Sequence, residues 1–346
     1  MKTFSIKRPD RAIAAQLQDK IDDLTKPKGS LGLLEETALR IGVIQQTLTP
    51  TLSKPYNLVF AGDHGIADEG VSATVKEVTR QMVYNFIGGG AGVSVFARQH
   101  NIGLKVIDSG VDHDFEGHPE LVHKKIAFGT RNFLYEPAMT HEELHIALER
   151  GAEVVDDIHS EGSNVVSFGE MGIGNTSCSS MLMTMLHNVP LEKTVGAGSG
   201  LDSKGVRHKL DVLTRAKASY KGDRSAFDII AHFSGYEMAM ITGGMLRAAE
   251  LGMVILVDGF NITASLMAAA ALHPEVLDYC IYSHKSNEGA HKLMLDILGG
   301  TPLLQLELRL GEGTGALVAY PILESAICMI NNMSSFSTAK VTRSFN

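Results

Sequence analysis

The chain has 346 residues, 44% of them apolar, with 35 glycines and a net charge of −8. That length accommodates one large α/β domain with a smaller appendage, or two domains. The acidic balance, with no basic run interleaved with aromatics, argues against nucleic-acid binding, so an anionic ligand would have to be met locally by backbone amides and a few cations. Cys178, Cys280 and Cys328 lie far apart and form no CxxC pair, which points to a reducing, cytoplasmic setting and away from a disulfide framework or a zinc site. The N-terminal segment carries charges without an apolar core, so no signal peptide is expected. The most apolar stretches, 251–257 and 266–272, fall short of the ~20 residues of a membrane span.

Ile13, Leu17, Ile21 and Leu24 recur at helical spacing and predict an N-terminal helix. Pro27 and Gly29 end it, leaving 26–32 (Lys-Pro-Lys-Gly-Ser-Leu-Gly) as a loop before a second helix from Leu33. From Tyr56 onward short apolar runs alternate with helix-like stretches: 57–62, 104–109, 164–169, 253–258 and 279–283. Residues 303–310 alternate instead, as an edge or half-exposed strand would. The pattern predicts an α/β fold, a Rossmann-like, mostly parallel sheet with helices on both faces. After Gly315, Ile322, Leu323, Ala326, Ile327, Met329 and Ile330 mark a closing helix, expected to pack on the N-terminal one.

In such a sheet the ligand sits beyond the carboxyl ends of the strands, where the unusual sequence lies. Residues 169–176 (Gly-Glu-Met-Gly-Ile-Gly-Asn-Thr) resemble a phosphate cradle, because glycines admit an anion to backbone N–H groups and a following helix N-terminus adds its dipole. The segment is neither a P-loop nor a G-x-G-x-x-G fingerprint, and a tight strand-to-helix turn would use the same glycines. Residues 196–200 form a second glycine loop. Downstream, Lys204, Arg207 and Lys209 read from spacing as a solvated helix face, with Lys209 as a candidate phosphate cation.

Glu312, between Gly311 and Gly313, projects one acid into the crevice. Desolvation there would raise its pKa and make it a proton acceptor; capping a helix from about Thr314 is the equal alternative. Glu170 poses the same choice, with a cap or loop role favoured. Asp63 and His64 are not a specific metal set, and His64 reads as a loop residue or substrate contact. Residues 88–92 (Gly-Gly-Gly-Ala-Gly) are a binding loop or a close helix approach.

The ordered set 26–32, 62–65 (Gly-Asp-His-Gly), 68–71 (Asp-Glu-Gly-Val), 169–176, 258–260 (Asp-Gly-Phe), 283–286 (Ser-His-Lys-Ser) and 309–315 (Arg-Leu-Gly-Glu-Gly-Thr-Gly) resembles the nicotinate-nucleotide:dimethylbenzimidazole phosphoribosyltransferase family. The resemblance implies a small helical domain from 1–50 and 316–346 and a large catalytic domain from 51–315. It implies nicotinate mononucleotide and an aromatic base as substrates, no metal or cofactor, and a dimer, homomeric or heteromeric, with its active site near the interface. It carries the catalytic role to Glu312. The nucleotide phosphate falls on Glu170, Gly172, Gly174, Asn175, Thr176, Lys209, Ser286 and Gly313. The base falls on Thr74, Gln81, Met82, Met171 and Leu310. Thr74 and Met82 stand where some relatives have Ser and Gln, and 196–200 lacks the Arg and Thr of many, which leaves the base open between a benzimidazole and a phenol. A dehydrogenase would need G-x-G-x-x-G after the first strand, where the chain reads Gly-Asp-His-Gly-Ile-Ala; a non-catalytic nucleotide-binding subunit would not need Glu312.

Overall fold

The computed structural model describes residues 2–198 and 200–342. Seven strands form one sheet: β1 (Tyr56–Gly62), β2 (Gly103–Gly110), β3 (Leu121–His123), β4 (Val165–Met171), β5 (Val254–Val257), β6 (Cys280–His284) and β7 (Pro302–Leu304). Their order is β3-β2-β1-β4-β5-β6-β7, and every pair is parallel. The chain starts mid-sheet, builds outward to β3, then returns beside β1 and builds out the other side. Ligands of open α/β sheets bind near this reversal, beyond the carboxyl ends of the strands.

The α/β reading holds, and five expected strands lie within two residues of their expected bounds. Their continuous apolar runs follow from burial on both faces: β5 is buried at every position and β1 at all but its first. The three-residue β3 carried no sequence signal of its own. The expected strand 303–310 is a correction. Only Pro302–Leu304 pairs with β6, and Glu307 turns left-handed at φ 57°. Gln305 to Leu310 leave the sheet, and their alternation was that of an exposed rim.

Two helices, His141–Ser160 and Tyr236–Glu250, cross at backbone contact. A Cβ on Gly151 would lie 1.8 Å from Met240 O, and one on Gly243 2.1 Å from Leu148 O. The first helix is fixed at its start by a reciprocal cap: Glu143 N donates to Thr140 Oγ1 (3.1 Å) and Thr140 N to Glu143 Oε2 (2.6 Å).

The helices Ala14–Asp22 and Leu33–Gln45 meet the Thr314–Asn332 helix in a second apolar cluster of Leu17, Ile21, Leu24, Ala38, Ala326, Met329 and Ile330. Between the first two helices, Lys26 Nζ sits 2.9 Å from Glu35 Oε1, which also accepts from Leu31 N (2.8 Å) and so ties down the 26–32 loop. By length and composition Thr314–Asn332 would pass for a membrane span, although it is not among the most apolar stretches of the sequence. It is a core helix: Ala316, Leu317, Tyr320 and Leu323 join the main core, and its second half joins the helical cluster.

Because backbone atoms oppose Gly151, Gly151→Ala must push the two helices apart. The substitution should cost about 1–3 kcal/mol, the range for overpacking, read as a lower urea midpoint. An unchanged midpoint would show that the crossing is not close-packed.

Candidate active site

The cleft lies beyond the ends of β4, β5 and β6, under a rim from 308–312, and encloses about 170 Å³. Its floor is set by a turn in which Gly311, Glu312 and Gly313 all have positive φ (89°, 65° and 85°). A left-handed glutamate costs roughly 1–2 kcal/mol, so contacts must hold it there. They come from the sheet. Asn57 Nδ2 of β1 donates to Glu312 O (3.3 Å), and Ser167 Oγ of β4 donates to Asn57 Oδ1 (2.7 Å). The turn rests on β4 itself, since a Cβ on Gly169 would lie 2.1 Å from Glu312 O. Gly311 and Gly313 are equally confined, 2.5 Å from Glu170 Oε1 and 2.5 Å from Asn57 Oδ1 at the position a Cβ would take.

The Glu312 side chain does not cap the helix that follows it. Thr314–Asn332 has Gly313 at its N-cap and no side-chain cap bond. The carboxylate turns away and accepts from Val93 N (3.1 Å), in the first turn of the helix Gly92–Gln99. The glycine run 88–92 thus leads into the helix start that holds the Glu312 carboxylate, with Gly92 packed against Leu310, Glu312 and Thr314. Burial raises the Glu312 pKa, Asp258 adds repulsion, and the Val93 amide opposes both. A buried carboxylate with one amide bond and one side open to a cleft is equipped to accept a proton.

Glu170, at the end of β4, is buried too and caps nothing; the helix Asn175–His187 that follows has no side-chain cap bond. Asn175 Nδ2 donates to Glu170 Oε2, Asn261 Nδ2 to Asn175 Oδ1 (3.1 Å), and Ser179 Oγ to Asn261 Oδ1 (2.7 Å). Burial pushes the Glu170 pKa up to about 8, with repulsion from Glu237 and Asp258 acting in the same direction against the bonds from Asn261 and Asn175. Glu170 is thus mostly protonated at neutral pH. Asp258 Oδ1 accepts from Ala316 N (2.9 Å) and faces His284 Nε2 at 3.4 Å.

The cradle residues Gly172, Gly174, Asn175 and Thr176 line the same cleft with Gly198 of the second glycine loop; Ser199 lies outside the described residues. Lys209 corrects the spacing argument. Lys204 is exposed and Arg207 is exposed, but Lys209 is 0% exposed and donates from Nζ to Thr176 Oγ1 (2.7 Å). Burial pulls its pKa down to about 8, against attraction from Glu288. Ser286 lines the same cleft. Its backbone N–H donates to His291 Nδ1 (2.8 Å), and His291 Nε2 meets Thr263 Oγ1 (2.9 Å). Burial holds the His291 pKa down at about 3, so the ring is neutral and its Nδ1 is free to accept.

One cleft therefore brings together Glu312, Glu170, Gly172, Gly174, Asn175, Thr176, Ser286, Met171 and Leu310. Lys209 reaches it through Thr176, and Gly313 supports it from the helix cap. Thr74, Gln81 and Met82 do not line it. Thr74 lies in the preceding loop, and Gln81 and Met82 on the helix Glu77–Ile87; Ser72 lines the cleft from this region, and Thr79 accepts from Ile173 N (3.2 Å). Sequence reasoning passed over Asn261, Glu288 and His291, and quoted Asp258 and Arg309 within motifs without giving either a role. Their signal was positional, since the first four follow the ends of β5 and β6. His64 sits in the loop that follows β1, as expected, but it is buried in the core at 1% exposure and does not line the cleft.

The Glu170 pKa has a sign that can be checked. Its folded value lies above its ordinary 4.5, so the folded state binds the extra proton and stability is lost as pH rises from about 4.5 through 8. Glu170→Gln should remove that loss, giving a flatter profile of urea midpoint against pH over this window. A parallel profile would mean that Glu170 ionises normally.

A phosphoribosyltransferase family model matches residues 6–341. The nicotinate-nucleotide–dimethylbenzimidazole phosphoribosyltransferase of Parabacteroides distasonis is 58% identical over 346 residues, with 100% of each chain covered. That of Dechloromonas aromatica is 48% identical over 345 residues, with 99% of each covered. The crystal structure of CobT from Thermus thermophilus superposes with a TM-score of 0.93 at 39% identity, covering 96% of this chain and 99% of that one. With a family model spanning nearly the whole sequence and relatives this similar end to end, the chain belongs to the phosphoribosyltransferase family and is a pentosyl-transferring enzyme.

Proposed function

We propose that the enzyme transfers ribose 5-phosphate from nicotinate mononucleotide to 5,6-dimethylbenzimidazole or a related base, yielding nicotinate and an α-riboside phosphate for the lower ligand of a cobamide. The observation that carries this reading is Glu312: one buried carboxylate, its pKa raised, held by a helix amide and lining an amide-rich cleft. Nicotinate leaves from a cationic pyridinium and needs no general acid. The incoming imidazole must lose its N–H proton as its other nitrogen attacks the anomeric carbon from the opposite face, and Glu312 accepts that proton. Attack opposite the leaving group inverts β to α. The cradle residues Gly172 to Thr176, with Lys209 and Ser286, hold the phosphate; Glu170, mostly protonated, can donate a hydrogen bond without repelling it. Fixing both partners supplies several kcal/mol, on the order seen for oriented reactants.

The base lies against Met171 and Leu310 in this reading, with Thr74, Gln81 and Met82 outside the present cleft wall and therefore its outer margin. Leu310 is 61% exposed at the cleft mouth, and Val75, Phe128 and Tyr135 are exposed as well. These surfaces favour a second copy as cover, in a homodimer, with a heterodimer as the alternative. Residues 1–50 and 316–346 form the small helical domain of this proposal, and three free cysteines suit a reducing cytoplasm.

Purified protein with nicotinate mononucleotide and either dimethylbenzimidazole or p-cresol should release nicotinate and ribosylated product, resolved by mass. Product with the benzimidazole supports the reading; product with the phenol alone moves the enzyme to a phenol-activating branch, and none with either overturns it. Glu312→Gln should lose ~10²–10⁴-fold in kcat, the worth of positioned proton transfer, while still binding both substrates. Near-normal turnover would remove Glu312 from the mechanism.

Lys209 gives an independent check. Its folded pKa of about 8 lies below the ordinary 10.5, so the folded state carries a desolvation penalty that is full below pH 8 and relieved as pH rises toward 10.5. Lys209→Met should therefore be more stable than the parent near pH 7, with the gap closing as pH rises from 8 toward 10.5, yet lose nucleotide affinity by about tenfold or more, the loss of one buried charged contact. A variant that is less stable and binds normally would make Lys209 a structural residue.

A further inference from the structure

His64 stands immediately after β1 and is enclosed by three segments of chain. Its Nε2 is 2.8 Å from Glu237 Oε1, in the first turn of the helix Tyr236–Glu250. Its Nδ1 is 3.2 Å from Cys178 Sγ, in the first turn of the helix Asn175–His187, whose N-terminal residues Asn175 and Thr176 line the cleft. All three side chains are buried, at 1%, 0% and 0% exposure. A fully buried carboxylate, imidazole and thiol in contact is an expensive arrangement in a core, since each polar group must be matched. Burial alone would lower the imidazole pKa; the Glu237 carboxylate and the Cys178 sulfur outweigh it and raise it well above the ordinary 6.5.

The ring is also the surface on which the cradle rests. A Cβ on Gly172 would lie 2.6 Å from His64 Nε2 and 2.4 Å from Gly62 O. On the other side a Cβ on Gly235 would lie 2.2 Å from His64 Cε1. Glycine at these two positions lets the cradle backbone and the Glu237 helix close on the imidazole from both sides. Any displacement of the ring moves Gly172 and, through Cys178, the helix start that carries Asn175 and Thr176.

We infer that His64 is a positioning residue for the phosphate-bearing substrate: clamped between Glu237 and Cys178, it sets the height at which residues 172–176 meet the phosphate. This rests on the proposed phosphate role of the cradle. Such a residue acts on the affinity for one substrate and leaves proton transfer at Glu312 untouched.

The test measures KM for nicotinate mononucleotide, KM for dimethylbenzimidazole and kcat in the full-length enzyme, with titration of ribose 5-phosphate as a binding readout. His64→Gln keeps a donor toward Glu237 but has no second nitrogen for Cys178 and no charge. It should raise KM for the nucleotide and the Kd for ribose 5-phosphate by about tenfold or more, with kcat within about threefold and KM for the base unchanged. Should His64→Gln fail to fold, Cys178→Ala and Cys178→Ser decide. Both lose the sulfur volume, but only serine restores a partner for Nδ1, so the alanine should raise the nucleotide KM and the serine bring it back. Equal effects of the two, a rise in both KM values, or a fall in kcat alone would each overturn the inference. A wild-type enzyme that turns over the nucleotide but does not bind ribose 5-phosphate would sink the cradle reading and this inference with it, leaving the reaction intact.

Discussion

The cleft depends on the backbone of Glu312 lying directly on strand β4. Any side chain at position 169 would occupy the space of the Glu312 carbonyl, 2.1 Å away. Only glycine at 169 admits this backbone-to-backbone approach, and neither partner has a rotatable group to yield. Asn57 and Ser167 then satisfy the carbonyl and amide that would otherwise be buried without partners. The left-handed glutamate is held by surroundings that over-determine it, as strained residues at functional sites generally are. From this turn follow the direction of the carboxylate toward Val93, the seat of Glu170 against Gly311, and the start of the closing helix at Thr314.

The charges around the cleft cost the fold stability and equip it for anions. Glu170, Asp258 and Glu312 crowd one wall, and burial with mutual repulsion keeps Glu170 mostly neutral near pH 7. Lys209 is buried with the Thr176 hydroxyl at bonding distance and Glu288 as a more distant attraction. A buried cation without a bonded carboxylate is poor for stability and good for a phosphate, which supplies the missing charge on binding. His291 shows the same economy in a neutral form. Low pKa keeps its Nδ1 as an acceptor, and that acceptor holds the loop bearing Ser286.

The closing helix links these features to the chain ends. Its first turn is anchored by Asp258 through Ala316 N, its middle fills the sheet core, and its end packs on Leu17, Ile21 and Ala38.

What the sequence determined by itself was periodicity. Apolar runs of parallel strands, helical spacing at Leu17 and Ile21, and glycines at strand ends are local signals, because burial on both faces and tight turns act on neighbouring residues. They were enough for the fold class and for five strands, whereas Glu312 and Glu170 were left between crevice and cap, and only the family resemblance carried them and the 172–176 segment to the site. Tertiary structure decided the rest. Residues 303–310 alternate like a strand but leave the sheet. Lys209 sits on a helix whose neighbouring lysine and arginine are solvated, yet faces inward. His64 looked like part of a loop and is held in the core by Cys178 and Glu237, over 100 residues distant. For Lys209 and His64 the deciding quantity was desolvation by distant segments, which no spacing along the chain encodes.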